Sequence, residues 1–259
     1  MAITDFNNAL VRAPSRSVVR GLRAVDVGAP TYDGVLAEHA AYVDALGAAG
    51  VAVEVLPPSE DYPDSVFIED TALVFGTSAI LLRPGAASRA GEPEEIAPVL
   101  ARRFERMLKL ETGTAEGGDI LVTPRGVFIG CSARTSAEGA RELVELLDAI
   151  GFRGSPVATP RGVLHFKSDC SLLDEGTILC TSRLAASGVF EGFRVVLMPE
   201  GEEGAANALR LNDRVLLSDG HPRTADMLNA LGFRIVTLAT REIAKIDAGL
   251  SCMSLRWRA

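Results

Sequence analysis

The chain has 259 residues, 47% hydrophobic and 23% charged, which is enough apolar material to bury a core and excludes a disordered, coiled-coil or collagen-like polypeptide. With 34 acidic side chains against 26 basic ones the formal charge is −8, which speaks against nucleic acid or an anionic membrane as partner and favours a small cation.

The opening MAITDFNNALVRAP lacks the apolar stretch of a secretory signal. The longest apolar runs, such as residues 47–53, fall short of the ~20 residues that cross a bilayer. The four cysteines, Cys131, Cys170, Cys180 and Cys252, have no zinc-site spacing and are expected to be reduced thiols. A cytoplasmic protein is the consequent expectation.

Residues 1–65 predict a first unit, with a partial strand phrase NNALVRAP and a strand in VAVEVLPP. A fuller phrase then recurs: a polar residue, a short apolar strand, a tight turn and a second apolar strand. Its copies are DTALVFGTSAILLRPG from Asp70, GDILVTPRGVFIGCS from Gly118, CSLLDEGTILCTS from Cys170 and ANALRLNDRVLLSDG from Ala206. Their middles, FGTS, TPRG, DEGT and LNDR, read as hairpin turns. Helical spacing follows most hairpins: Ile96, Val99, Leu100, Phe104 and Met107 predict one helix, and Ala140, Leu143, Val144, Leu147 and Ile150 another. The β-rich runs SPVAT, FRVVLMP and FRIVTLA are entered through Gly or Gly-Phe, a common mark of a helix end. SCMSLRW near the C-terminus is a second partial strand phrase.

The unit is strand, strand, helix, strand, and five such units predict an α/β ring forming a single domain over residues 1–259, closed if the last strand pairs near the first. In a closed ring the equivalent positions of all units face one axis. At the hairpin openings stand Glu69 and Asp70, Glu116 and Asp119, His165 with Asp169, Asn207, and Cys252. A thiolate nucleophile, a histidine that moves protons near neutral pH and a carboxylate that fixes its tautomer are a working catalytic set, and the remaining carboxylates would hold a cation. Taken singly, each residue has a plainer reading: a strand cysteine fills a core, and Glu-Gly-Gly-Asp is a turn.

Several phrases, in order, resemble the dimethylarginine dimethylaminohydrolase family: PDSVFIEDTALV, RPGAASR, EGGDIL, GCSARTSAEGA, VLHFKSDCS and KIDAGLSCMSL. The resemblance implies the pentein fold, a five-bladed ββαβ propeller with pseudo-fivefold symmetry. It implies hydrolysis of Nω,Nω-dimethylarginine and Nω-monomethylarginine to citrulline and an alkylamine. By the same resemblance Cys252 is the nucleophile, His165 the general acid and base, and Glu116 the carboxylate orienting the histidine, a role Asp119 contests. Asp70 with Glu69 resembles the guanidinium-binding pair, Arg89 and Arg134 the clamp on the α-carboxylate, and Asp64 the residue near the amino end. Leu22 and Ile246 resemble positions whose backbone meets the ligand. RGLR alone carries the match in the first sixty residues, and NALRLN departs from a commoner Asn-Cys phrase.

The expected partner is a small cationic guanidino substrate, with neither nucleic acid nor membrane involved and a homodimer left open. No G-x-G-x-x-G after a strand, P-loop or metal-ligand spacing occurs, so no cofactor and no metal are expected. Two other readings stand beside this one: an arginine deiminase-like hydrolase acting on free arginine, whose family carries a helical insertion for which the spacing leaves no room, and a non-catalytic pentein that only binds.

Overall fold

The computed structural model describes residues 3–259. Five three-stranded sheets are arranged as blades. The second contains β3 (Ala72–Phe75), β4 (Ser78–Leu81) and β5 (Arg106–Lys109); the third contains β6 (Ile120–Thr123), β7 (Gly126–Cys131) and β8 (Gly154–Ala158). The fourth is β9 (Cys170–Leu172), β10 (Thr177–Cys180) and β11 (Arg194–Leu197), and the fifth β12 (Leu209–Leu211), β13 (Arg214–Ser218) and β14 (Arg234–Leu238). In each, the first two strands form an antiparallel hairpin and the third pairs in parallel with the second. All four predicted turns connect hairpin strands. Three of them carry a residue of positive φ, Gly76 at 51, Gly126 at 132 and Asn212 at 53, the residue types that tolerate it.

The first blade joins the two ends of the chain. β15 (Leu255–Trp257) pairs antiparallel with β1 (Asn8–Arg12), and β1 pairs in parallel with β2 (Ala52–Leu56). The partial phrases at the two ends are thus one split hairpin, and the ring is closed. A parallel third strand needs a crossover, supplied by α1 (Tyr32–Ala48), α2 (Glu92–Leu100), α3 (Ala137–Ala149), α4 (Ser182–Ala185) and α5 (Pro222–Ala230). Thr31 and Ser136 cap α1 and α3 by accepting the N–H of Gly34 and Gly139, interactions typically contributing ~1 kcal/mol each.

The predicted helix over 96–107 is a correction. Its residues continue the helical spacing, but α2 ends at Leu100. Met107 lies in strand β5, and Phe104 turns inward to meet Trp257 edge-on at 5.3 Å between centroids. Pro98 inside α2 withholds a backbone N–H and weakens any extension. The run RMLK was therefore hidden inside an apparent helix.

The buried apolar side chains form five clusters, one at each seam between neighbouring blades. Leu10, Ala79 and Leu255 share the seam of the first and second blades; Val11, Leu209 and Leu216 share that of the first and fifth. Cys180 and Cys170 are fully buried in the seam of the third and fourth, whereas Cys131 is half-buried beside the cluster of the second and third.

Candidate active site

A short 3₁₀ turn leads into the inner strand of every blade: residues 68–71, 117–119, 166–168, 203–206 and 250–253. Side chains lace these turns to one another around the axis. Gly118 donates its N–H to Asp70 Oδ1 at 2.8 Å, and Phe166 N–H to Asp119 Oδ1 at 2.8 Å. Asn207 donates from Nδ2 to Lys167 O and Ser251 Oγ, both at 3.1 Å, and accepts from Ser251 N–H at 3.0 Å. Arg256 closes the circuit on Glu69 Oε1 at 2.9 Å.

One face of this ring holds a narrow pocket into which Cys252, His165 and Asp70 all open. Behind the imidazole, Glu116 is completely buried, with Oε2 2.6 Å from His165 Nε2. Its Oε1 accepts the N–H of Gly85 and Ala86 and a guanidinium N–H of Arg134 at 3.3 Å. Asp119 is equally buried but serves elsewhere, accepting from Ser132 and Thr135 hydroxyls at 2.7 Å each and from Phe166 N–H. Of the two acids, the one touching His165 is Glu116.

Arg89, Arg134 and Asp64 line the same pocket, as do Leu22 and Ile246. Asp64 Oδ1 accepts Leu22 N–H at 2.9 Å, pinning the loop after Gly21. Arg89 is deeply engaged: Nη1 reaches Asp70 Oδ2 at 2.6 Å, Nη2 reaches Phe67 O at 2.9 Å, and Nε with Nη2 grips Glu92 at 2.9 and 2.7 Å. Glu69 lies apart from the rest of the predicted set. Its carboxylate turns to the other side of the ring and pairs with Lys167 at 2.6 Å and Arg256. Consecutive residues on a 3₁₀ turn are about 120° apart, so Glu69 and Asp70 serve opposite faces.

Burial opposes each charged form here, and neighbours decide the outcome. For His165, Asp70 and the Glu116 hydrogen bond outweigh burial and raise its pKa above the ordinary 6.5. For Glu116, burial is outweighed by the hydrogen bond from His165 together with the charges of His165 and Arg89, which lower it; for Asp70, burial is outweighed by Arg89, His165 and the Gly118 N–H together. For Cys252, burial, then Asp70 and Glu69, prevail over the lowering by a Gly249 backbone hydrogen bond and Lys167 and push its thiol up to about 12. The neighbours therefore favour the imidazolium, the two carboxylates and the neutral thiol. Ligand atoms of Asp70, Glu116 and His165 lie within 4.8 Å of one another, a spacing open to a metal ion, but Arg89, Gly118, Gly85 and each other already occupy them.

Sequence reasoning missed Glu92, visible only as an acid three residues after Arg89 at a helix start. It also missed Asp247, left-handed at φ 56, whose Oδ2 accepts the Ala24 N–H. Asp247 ties the Leu22 loop to the Ile246 turn, and no turn signal beyond Asp-Ala-Gly announces it.

The family profile described as N,N dimethylarginine dimethylhydrolase, eukaryotic, matches residues 30–161. The N(G),N(G)-dimethylarginine dimethylaminohydrolase of Pseudomonas aeruginosa is 40% identical, covering 97% of this chain and 100% of its own. The crystal structure of a cysteine-to-serine mutant of that bacterium's enzyme complexed with citrulline superposes with a TM-score of 0.94 at 40% identity, over 97% of this chain and 99% of the other. A dimethylarginine dimethylaminohydrolase structure with a histidine-to-glycine change, an adduct with S-methyl-L-thiocitrulline, matches with a TM-score of 0.94 at 40% identity over 97% and 100% of the two chains. The α/β propeller expected from the repeats is the pentein architecture of these enzymes.

Proposed function

Since this chain belongs to the dimethylarginine dimethylaminohydrolase family, we propose that it hydrolyses Nω,Nω-dimethyl-L-arginine, and Nω-monomethyl-L-arginine, to L-citrulline and the corresponding alkylamine through an adduct on Cys252. The observation that carries this reading is that Cys252, His165 and Asp70 open into one pocket with Glu116 bonded behind the imidazole.

The substrate's guanidinium pairs with Asp70, whose lone pairs beyond those used by Gly118 and Arg89 remain for it. The cation opposes the carboxylates that hold the Cys252 thiol neutral and so favours loss of its proton to solvent. Sulfur adds to the guanidino carbon and forms the C–S bond. The carbon–nitrogen bond to dimethylamine then breaks, with His165 giving its proton to the departing nitrogen. Neutral His165, aligned by Glu116, takes a proton from water. The hydroxyl adds to the same carbon, the C–S bond breaks, the added hydroxyl gives its proton to the departing sulfur, and citrulline leaves with the thiol restored. Arg134 and the one Nη1 N–H that Arg89 has left beyond Asp70, Glu92 and Phe67 hold the α-carboxylate, and Asp64 receives the amino end.

The whole chain, residues 1–259, acts as one domain in this proposal, because the first blade draws strands from both ends. A cytoplasmic setting accords with four free cysteines and with no helix among the described residues being long and apolar enough to cross a membrane. The test is release of citrulline and dimethylamine from dimethylarginine, measured beside release of citrulline and ammonia from arginine. Turnover of arginine far above dimethylarginine would assign the site to the arginine-hydrolysing alternative.

A further inference from the structure

On the far side of the ring from Cys252 the five inner strands enclose a second space, a cavity of about 440 Å³ sharing no lining residue with the catalytic pocket. Its volume lies in the range of small-molecule sites, roughly 300–1,000 Å³. Its walls are predominantly apolar: Phe6, Phe75, Phe152 and Trp257 supply aromatic surface, and Leu172 and Leu209 aliphatic surface.

The wall is built rather than draped. Asn212, in its left-handed conformation, accepts Phe6 N–H at 2.7 Å and donates from Nδ2 to Phe6 O and Ala49 O at 3.0 and 2.8 Å. Its own N–H reaches Thr4 O at 3.1 Å. Three hydrogen bonds thus pin the segment that forms one side of the cavity, and the fourth fixes Asn212 itself to Ala49.

The polar groups set the ligand's charge. Lys167, Arg210, Arg256 and Arg258 line the cavity against only Asp5 and Glu69, a local cationic excess on a chain whose formal charge is −8. Among the described residues Arg210 Nε and Arg256 Nε are buried donors without a partner, the Ser171 hydroxyl is also unpartnered, and Glu69 Oε2 is an unpartnered carboxylate oxygen. The guanidinium groups of Arg210 and Arg256 thus keep donor capacity that no neighbouring side chain meets, and an anionic acceptor would complete it. We propose that the axial cavity is a second binding site, for an amphipathic monocarboxylate whose aryl or alkyl body lies among Phe6, Phe75, Phe152 and Trp257 and whose carboxylate is taken by Arg210 and Arg256.

Trp257 is the chain's single tryptophan and stands in the cavity wall, so its emission reports occupancy. The experiment titrates the full chain with 4-phenylbutyrate and, separately, with 4-phenylbutylamine, before and after alkylation of Cys252. Expected is a saturable change in emission with the acid, at least ~10-fold weaker binding of the amine, and no loss on alkylation. Arg210→Gln, with its fold checked by circular dichroism, should weaken the acid about tenfold, in line with one lost charge-assisted contact. Equal response to acid and amine, no saturation at millimolar ligand, or a folded Arg210→Gln protein that binds as before would each overturn the proposal. So would loss of the signal on alkylation, which would place the ligand in the catalytic pocket. None of these outcomes bears on turnover of dimethylarginine.

Discussion

Cys252 shows how one residue can be legible in kind and not in state. Its position at the last strand opening and its thiol chemistry are readable from the repeat, whereas its ionisation depends on neighbours from other blades. With the thiol pushed up to about 12, its alkylation by neutral iodoacetamide should still be accelerating with pH well past the ordinary thiol range near 8.5; a rate already level at neutral pH would mean that a thiolate pre-exists. His165 gives the opposite sign. Its folded-state pKa is raised above 6.5, so the stability it contributes is complete below 6.5 and is lost as pH rises through the raised value. The difference in melting temperature between the protein and His165→Asn should accordingly be larger in acid than above that value. Glu92 was invisible to motif reasoning because its function is to grip another side chain. Arg89 donates two hydrogen bonds to it, and charge-assisted bonds contribute ~1.5–3 kcal/mol. Glu92→Gln should raise KM about tenfold or more while kcat changes much less; a fall confined to kcat would remove the positioning role.

At the scale of the element, the turns before the inner strands carry the site, and their sequences are short enough to be misjudged. Glu-Gly-Gly-Asp reads as a turn and nothing more. In the folded ring a Cβ on Gly117 would stand 2.0 Å from Glu69 O, and one on Gly118 would stand 2.6 Å from His165 Nδ1. These glycines are there because neighbouring blades approach too closely for a side chain. Gly118→Ala should push the imidazole off Glu116 and lower kcat by ~10²-fold or more, the usual worth of a positioned acid and base. The far-UV circular dichroism should remain that of the parent, and an unchanged kcat would show that His165 tolerates the displacement. The opposite facing of Glu69 and Asp70 was illegible for a related reason: residue type puts both acids at the axis, and only the rotation of the turn sends one to each side. The α2 overrun arose because apolar periodicity persists through a turn when the residues beyond it also enter a core.

The whole molecule was legible earliest, since a strand phrase repeated along the chain needs no tertiary knowledge, and the split phrases at the two ends implied closure. Periodicity alone could not show that the core is divided among five seams, so that stability depends on closing the circle and not on one interior. Closure also brings the chain ends together: Ala259 N–H donates to Asn7 Oδ1 at 3.0 Å. If the ring rather than the order of blades specifies the fold, a circular permutant with residues 3 and 259 joined through a short Gly-Ser linker and new ends at the exposed Glu200–Gly201 turn should fold, because exposed turns tolerate new termini. The new ends lie between β11 and β12, outside every strand pairing, and leave all five seams intact. Its citrulline release should stay within about tenfold of the parent, a shift of ~1.4 kcal/mol in barrier. Deleting residues 255–259 instead removes β15, the antiparallel partner of β1, and takes Leu255 and Trp257 out of the seam of the first and second blades, and should abolish cooperative unfolding and activity together. A soluble, active truncation beside an insoluble permutant would reverse the argument and make chain order, not closure, the source of the site.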